Sequence, residues 1–517
     1  MENKDQTWSG RTAFVMASIG SAVGLGNLWR FPYIAYRNGG GAFLIPWVIA
    51  LITAGIPLMR LEFALGYHFR AGAPKAFHSL KKKYSWIGWG TLLVGFVIVC
   101  YYAVVMAWSL VYFVKSFTVA WGDDAANFFY KDVLALSDNI GQIGGIQWIA
   151  LLALIVTWIL IYLIIFKGPK IVSKVVMWTV PLPVVLILVF IVRGLTLPGA
   201  FEGLKFYLAS DFSRLLEIDV WREAYGQIFF SLSLAFGIMI AYARYQAPED
   251  AEINSNARVI SITNCLTSFI AGFAVFTVIG YLAFSTGQSI EDLKIGGPGL
   301  AFITYPTAIQ LMPGAPIFGV LFFMMLLTLG IDSAFSLVEA ASAGLWDYVK
   351  TSKEKLSFWV CLFGLLGGVI FVTKAGLYWL DIVDHFATNI LLVLFGLFEC
   401  IAVGWHISRD KEYILNLGAG EVREYANAYS QFSVGRWWDF CVCILTPAAL
   451  IFLLVKTLVD SVKTPYGGYP DWALWAGGWG LMILLVLVSI LLGRFAKPTE
   501  ELAPEEFGEQ EHSIADH

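Results

Sequence analysis

The stretch from Thr12 to Tyr36 is apolar and long enough to cross a bilayer, yet its middle reads Gly20-Ser21-Ala22-Val23-Gly24-Leu25-Gly26-Asn27. Three glycines and an asparagine at mid-membrane weaken a helix and loosen its backbone. Lipid tolerates unwound backbone only where protein buries it or where it lines a cavity. The rest of the chain must therefore enclose this segment. A discontinuous span leaves bare carbonyls for a cation and helix N-terminal N–H groups for an anion.

The composition suits a membrane setting. The 517 residues are 58% hydrophobic and 14% charged, with a mean hydropathy of +0.71. A water-soluble protein of that size needs far more charge on its surface. Twelve apolar runs of about 20 residues lie near 12–36, 41–67, 88–119, 147–166, 171–193, 221–245, 258–285, 315–347, 356–373, 378–405, 437–459 and 472–494. An all-α integral membrane protein is expected. Abundant glycine and tryptophan suit close helix packing and interfacial belts. The polar start, Met1 to Arg11, and the lack of a small-residue cleavage site speak against a cleavable signal peptide.

Loop charges set an orientation. His68 to Ile87 carries Arg70, Lys75, Lys81, Lys82 and Lys83 without an acid, and is expected to face the cytoplasm. Trp121 to Ile146 holds Asp123, Asp124, Asp132 and Asp138 against Lys131 alone, and is expected outside. Both termini then lie inside, in a cell membrane. The expected divisions are a cytoplasmic N-terminus (1–11), five spans (12–193), an outer loop with five more (194–405), two last spans (406–494) and an acidic cytoplasmic tail (495–517).

No enzyme signal appears. Cys100, Cys265, Cys361, Cys400, Cys441 and Cys443 all fall in apolar runs, with neither disulfide nor metal spacing. Nothing resembles a P-loop, and nothing points to nucleic acid.

A second interruption, Ser231-Leu232-Ser233-Leu234-Ala235-Phe236-Gly237, lies in the sixth run. It opens the second group of five spans as the first interruption opens the first. Matching breaks point to inverted repeats with a site between them. Asp332, flanked by apolar residues, is costly in a membrane and marks a functional position. Glu62 and Glu399 are further intramembrane acids, for which structural hydrogen bonding is expected.

The motifs are more specific. Ser21-Ala-Val-Gly-Leu-Gly-Asn-Leu-Trp-Arg-Phe-Pro-Tyr33, Asn38-Gly-Gly-Gly-Ala-Phe43, Arg193-Gly-Leu-Thr-Leu-Pro-Gly-Ala200, Gln227-Ile-Phe-Phe-Ser231 and Leu327-Thr-Leu-Gly-Ile-Asp-Ser333 resemble the neurotransmitter:sodium symporter family. The resemblance covers ten spans clearly and the last two loosely. The missing outer-loop cysteine pair and N-x-S/T sites suggest a prokaryotic member. The implied architecture is the leucine-transporter fold, a 5+5 inverted repeat with broken helices one and six. The implied activity is sodium-coupled symport of an amino acid by alternating access. Readings from other classes are a channel and a substrate sensor that moves no cargo.

The resemblance also implies roles for residues. Two Na⁺ ions are expected. One takes the Ala22 carbonyl, Asn27, Ser231, Asn264 and the substrate's carboxylate; the other takes carbonyls of Gly20, Val23 and Leu329 with Asp332 and Ser333. All are oxygen donors, as a hard cation requires. Monoamine members carry an aspartate where this chain has Gly24, so the empty position leaves room for a carboxylate. N–H groups around Leu25 and Gly26, with the Tyr102 hydroxyl, would hold it. The Ala22 and Phe230 carbonyls and Ser233 would take the amino group, beside Ser21 and Ser333. Ile98, Phe230, Phe236 and Leu337 would line an apolar pocket. A neutral, apolar L-α-amino acid is therefore expected, with GABA-like or betaine-like carboxylates as alternatives.

Gates follow from the same resemblance. Arg30 and Asp384 match an outer ion pair, with Glu223 able to share Arg30 and with Tyr102 and Phe236 as a lid. Trp8, Tyr245 and Asp347 match an inner gate. The family's arginine three residues before the tryptophan is Asp5 here, so Lys4 or Arg11 is expected to supply the cation. Neutral Ser268 stands where chloride-indifferent bacterial relatives often carry an acid. It invites Cl⁻ among Gln227, Ser231, Asn264 and Ser268, although Trp47 replaces the tyrosine of the chloride pattern.

Overall fold

Apolar run and helix correspond almost span for span in the computed structural model, which describes residues 7–209, 211–290, 293, 297–405 and 418–499. Among the described residues, ten helices are long and apolar enough to cross a membrane: Gly41–Phe69, Lys82–Ser116, Trp148–Ile165, Pro169–Leu195, Ile253–Thr286, Ala315–Trp346, Lys353–Val372, Gly376–Gly404, Trp437–Gly468 and Asp471–Phe495. The pair Arg11–Ala22 and Gly26–Arg37, bent by 50°, makes an eleventh. The remaining expected span is present as Ile218–Ser231 and Ile238–Ala243, either piece too short to cross alone. We number these spans one to twelve in chain order. Lys4, Asp5 and the tail from Glu500 lie outside the described residues.

Burial separates an inner set from an outer shell. The apolar windows of spans three, seven and ten are 83%, 78% and 78% buried, against 33% and 28% for spans eleven and twelve. The outer spans turn apolar side chains outward, as Trp148, Leu152, Val156, Ile159 and Leu163 do on span four. That face suits lipid.

Small residues set the close contacts. A methyl on Gly90 of span three would stand 1.9 Å from the Phe395 ring of span ten. A methyl on Gly88 would meet the Ala73 carbonyl at 2.3 Å. Ala73 opens a short helix, Ala73–Leu80, inside the basic loop that hydropathy alone left unassigned. It buries Ala73, Pro74, Ala76 and Phe77. Further short helices, Ala200–Leu208 and Ala419–Ala428, were equally unmarked by apolar runs.

The two interruptions differ in kind. Span one stops at Ala22, where Val23 turns extended with ψ 94°. Its glycines do not serve left-handed backbone, since Gly20, Gly24 and Gly26 are absent from the positive-φ residues. They admit neighbours instead: a methyl on Gly20 would lie 2.7 Å from Asp332, and one on Gly26 would lie 2.9 Å from the Phe230 ring. Span six has the left-handed residues, Ser233 (φ 54°), Ala235 (φ 61°) and Gly237 (φ 71°). For serine and alanine such backbone costs about 1–3 kcal/mol each and persists only where surroundings hold it.

Candidate functional site

The surroundings that hold the sixth-span break are polar atoms of other spans. The Ala235 N–H donates to Glu62 Oε1 of span two at 2.8 Å. The Ser233 hydroxyl donates to the Ser21 carbonyl at 3.2 Å, and the Ser333 hydroxyl donates to the same carbonyl at 3.1 Å. One buried carbonyl at the end of the first half-helix thus joins spans six and eight. Within span one, Asn27 Oδ1 accepts the Gly24 N–H at 2.9 Å, across the break. The Leu25 N–H donates to the Tyr102 hydroxyl at 3.4 Å.

Between the breaks lies a cavity with about 40 Å³ of free space. Its lining comprises Ser21, Ala22, Gly24, Leu25, Gly26, Asn27, Ile98, Tyr102, Phe230, Ser231, Ser233, Phe236, Ile238, Ser333 and Leu337. The candidate substrate residues are all brought together here. Ile238 was missed; its signal was its place directly after Gly237, at the start of the second half-helix. No lining residue is charged. Phe230 and Phe236 face each other edge-on, with ring centroids 6.4 Å apart. The Phe230 carbonyl already accepts the Ser233 N–H at 3.1 Å.

Two polar clusters adjoin the cavity. In the first, Asn27 Nδ2 donates to Asn264 Oδ1 at 2.8 Å and to Ser268 Oγ at 2.7 Å, while Asn264 Nδ2 donates to Ser231 Oγ at 2.9 Å. Gln227 is fully buried, and neither its amide oxygen nor its nitrogen has a partner. The Trp47 indole N–H is likewise buried and unpartnered. In the second, Asp332 is 2% exposed with Oδ1 unpartnered, beside Gly20 and with Leu329 buried one turn earlier. An unpaired carboxylate oxygen in this setting fits a cation.

A profile of the sodium:neurotransmitter symporter family matches residues 5–125 and 120–497. The chain belongs to that family. It is 40% identical to an uncharacterized sodium-dependent transporter of Methanocaldococcus jannaschii, over 90% of this chain and 92% of that one. It is 33% identical to the human sodium- and chloride-dependent neutral and basic amino acid transporter B(0+), covering 94% and 85% of the two chains. It is 34% identical to the sodium- and chloride-dependent taurine transporter of Rattus norvegicus, covering 94% and 84%. The protein is a sodium-dependent transporter with many membrane spans.

At one end of this symporter's cavity, the residues expected to form the outer gate are arranged differently from expectation. The Arg30 guanidinium lies over the Phe230 ring, 4.4 Å from its centroid. Asp384 instead accepts the Tyr101 hydroxyl at 2.6 Å. The expected Arg30–Asp384 pair is not among the ion pairs of the described residues, and Glu223 pairs with Arg222 at 3.2 Å rather than with Arg30. Cation–π attraction holds the guanidinium against the Phe230 ring.

Among the residues expected at the inner gate, Trp8 Nε1 donates to the Tyr242 carbonyl at 2.9 Å, and the Trp8 N–H donates to the Tyr245 carbonyl at 3.0 Å. Asp347 is held by Arg244, at 3.1 Å. Arg11 faces elsewhere, donating to Asn256 at 2.9 Å and to Ser255 at 2.9 Å. The expectation of Arg11 as the cation is thereby corrected. Arg244 escaped notice in the sequence because it sits in the turn after an apolar half-helix, where no motif ties it to Asp347.

Proposed function

We propose that this transporter couples Na⁺ entry to import of a neutral, apolar L-α-amino acid by alternating access between inverted repeats 12–193 and 194–405. The observation that carries the reading is an uncharged cavity formed where two helix breaks meet. A zwitterion needs no charged partner there: N–H groups at Leu25 and Gly26 with the Tyr102 hydroxyl suit its carboxylate, and carbonyls at Ala22 and Phe230 with Ser233 suit its ammonium. Ile98, Phe236, Ile238 and Leu337 leave an apolar wall for the side chain. The small free volume favours a compact substrate or a lid that opens to admit a larger one.

Two sodium ions are assigned. The first uses Ala22, Asn27, Ser231 and Asn264 with the substrate's carboxylate. The second uses Gly20, Val23, Leu329, Asp332 and Ser333. The unpartnered Asp332 oxygen supports the second assignment. The unpartnered Gln227 amide and Trp47 N–H support an anion near Ser231, Asn264 and Ser268. Relatives described as sodium- and chloride-dependent point the same way. Loop charge supports cytoplasmic termini in the cell membrane.

Uptake into proteoliposomes tests the reading. Labelled alanine, leucine, taurine and GABA are offered with an inward Na⁺ gradient and with K⁺ in its place. The expected result is Na⁺-driven accumulation of the α-amino acids above the other two. Accumulation of taurine or GABA alone would replace the substrate assignment. Saturable binding without accumulation would favour a sensor, and current without a bound substrate would favour a channel.

A further inference from the structure

Below the cavity, the second half of span six ends at Ala243, and Arg244 follows in the turn. Its guanidinium grips Asp347 at the end of span eight with both arms, Nη1 to Oδ2 at 3.2 Å and Nη2 to Oδ1 at 3.1 Å. Nη1 also donates to the Ala343 carbonyl at 3.0 Å. The group lies 5.3 Å from the Tyr245 ring and 5.6 Å from the Trp346 ring. Asp347 Oδ2 takes a further bond, from the Gly72 N–H at 2.7 Å. The two side chains are 10% and 6% exposed.

A second pair stands beside the first. Lys353 Nζ lies 2.6 Å from Glu339 Oε1 and donates to the Tyr245 hydroxyl at 3.2 Å. These side chains are 11% and 3% exposed. Tyr245 therefore sits between two buried ion pairs. Arg70 completes the cluster by donating to the Arg244 and Gln246 carbonyls.

We propose that Arg244 is the cation of the cytoplasmic gate, taking the place of a cation before Trp8, and that Arg244–Asp347 and Lys353–Glu339 form a double bolt around Tyr245. The charge that closes the gate then belongs to the broken helix itself. Span six cannot swing away from span eight without breaking a bidentate, desolvated pair, and a planar guanidinium holds a carboxylate in this way better than an ammonium. Removing one partner leaves the other charge buried without compensation, which biases the protein toward the state in which water reaches it. This inference rests on the transporter reading for the opening of a gate and on the loop charges for which side is cytoplasmic.

The test uses a reporter that needs no substrate. Ser336→Cys places a thiol at a fully buried site on span eight, between Ser333 and Asp347, whose hydroxyl bonds the Tyr242 hydroxyl at 2.6 Å. Its modification by a membrane-impermeant thiol reagent, applied from the cytoplasmic side of inside-out vesicles, reports gate opening against the native-cysteine background. Arg244→Gln is expected to raise the labelling rate at least about tenfold, a bias of ~1.4 kcal/mol. Arg244→Lys should fall between it and the parent, and the Arg244→Asp/Asp347→Arg exchange should return labelling toward the parent. Lys4→Gln should leave it unchanged. Should Arg244→Gln fail to reach the membrane, Asp347→Asn gives the same readout while keeping an oxygen for the Gly72 N–H. Parent-like labelling in Arg244→Gln or Asp347→Asn overturns the proposal. So does a rise in Lys4→Gln equal to that of Arg244→Gln. Labelling that responds as expected in a protein that accumulates no amino acid leaves the gate standing and removes only the substrate reading.

Discussion

Gly20 lies so close to Asp332 that a methyl group on it would stand 2.7 Å from a carboxylate oxygen. The same methyl would stand 2.7 Å from Val180 Cγ2, so a side chain on one side or the other must shift to admit it. The pair keeps span one against span eight at the place assigned to the second Na⁺. Asp332→Asn removes the charge while retaining the shape, and Gly20→Ala pushes the carboxylate aside. Each is expected to weaken Na⁺ by roughly tenfold or more, ~1.4 kcal/mol. Sodium titration of substrate binding measures it; unaltered Na⁺ dependence in Asp332→Asn would falsify the assignment.

Gly24 is equally enclosed, with a methyl on it reaching 2.6 Å from Ser333 Oγ and 3.2 Å from the Tyr102 hydroxyl. Gly24→Asp adds a negative charge beside the proposed carboxylate position. Like charges at close range in a poorly solvated site repel strongly. Amino-acid uptake is expected to disappear while the melting temperature stays near the parent's, and Gly24→Ala separates crowding from charge. Normal amino-acid binding in Gly24→Asp would move the carboxylate elsewhere.

Glu62 holds the left-handed Ala235 through its N–H. Glu62→Gln keeps an acceptor oxygen, whereas Glu62→Ala strands a buried donor at a cost of about 1–3 kcal/mol. Thermal unfolding in detergent should rank parent and Glu62→Gln together above Glu62→Ala. Equal melting of the Ala and Gln variants would show that the bond contributes nothing to the break.

Chloride dependence follows from the unpartnered Gln227 amide and Trp47 N–H. Replacing chloride by gluconate is expected to lower uptake in the parent, and Ser268→Glu is expected to make uptake indifferent to the exchange. Buried sodium needs a compensating anion, and either ion or side chain supplies it. Uptake by the parent that ignores gluconate would leave charge compensation to another acid.

Much of this could be read along the chain. Twelve apolar runs anticipated the span order because bilayer thickness dictates helix length, whatever the tertiary packing. The break at Gly20–Asn27 and its sixth-span counterpart were visible because glycine, serine and asparagine are conspicuous inside apolar sequence. The amphipathic Ala73–Leu80 helix was not visible, since its apolar face is short and its basic residues dominate the loop.

The sequence by itself determined which segments enter the membrane, where two of them break, and which polar residues ride inside. Those follow from transfer free energy and backbone preference, which are properties of neighbours along the chain. Only the tertiary structure decided that Ser233 and Ser333 share the Ser21 carbonyl, and that Ala235 rests on Glu62. It alone assigned Asp347 to Arg244, 103 residues away, rather than to Arg11 of the first segment. Such pairings depend on which half-helix approaches which span, and a buried charge takes whatever partner the packing brings within about 3 Å of it.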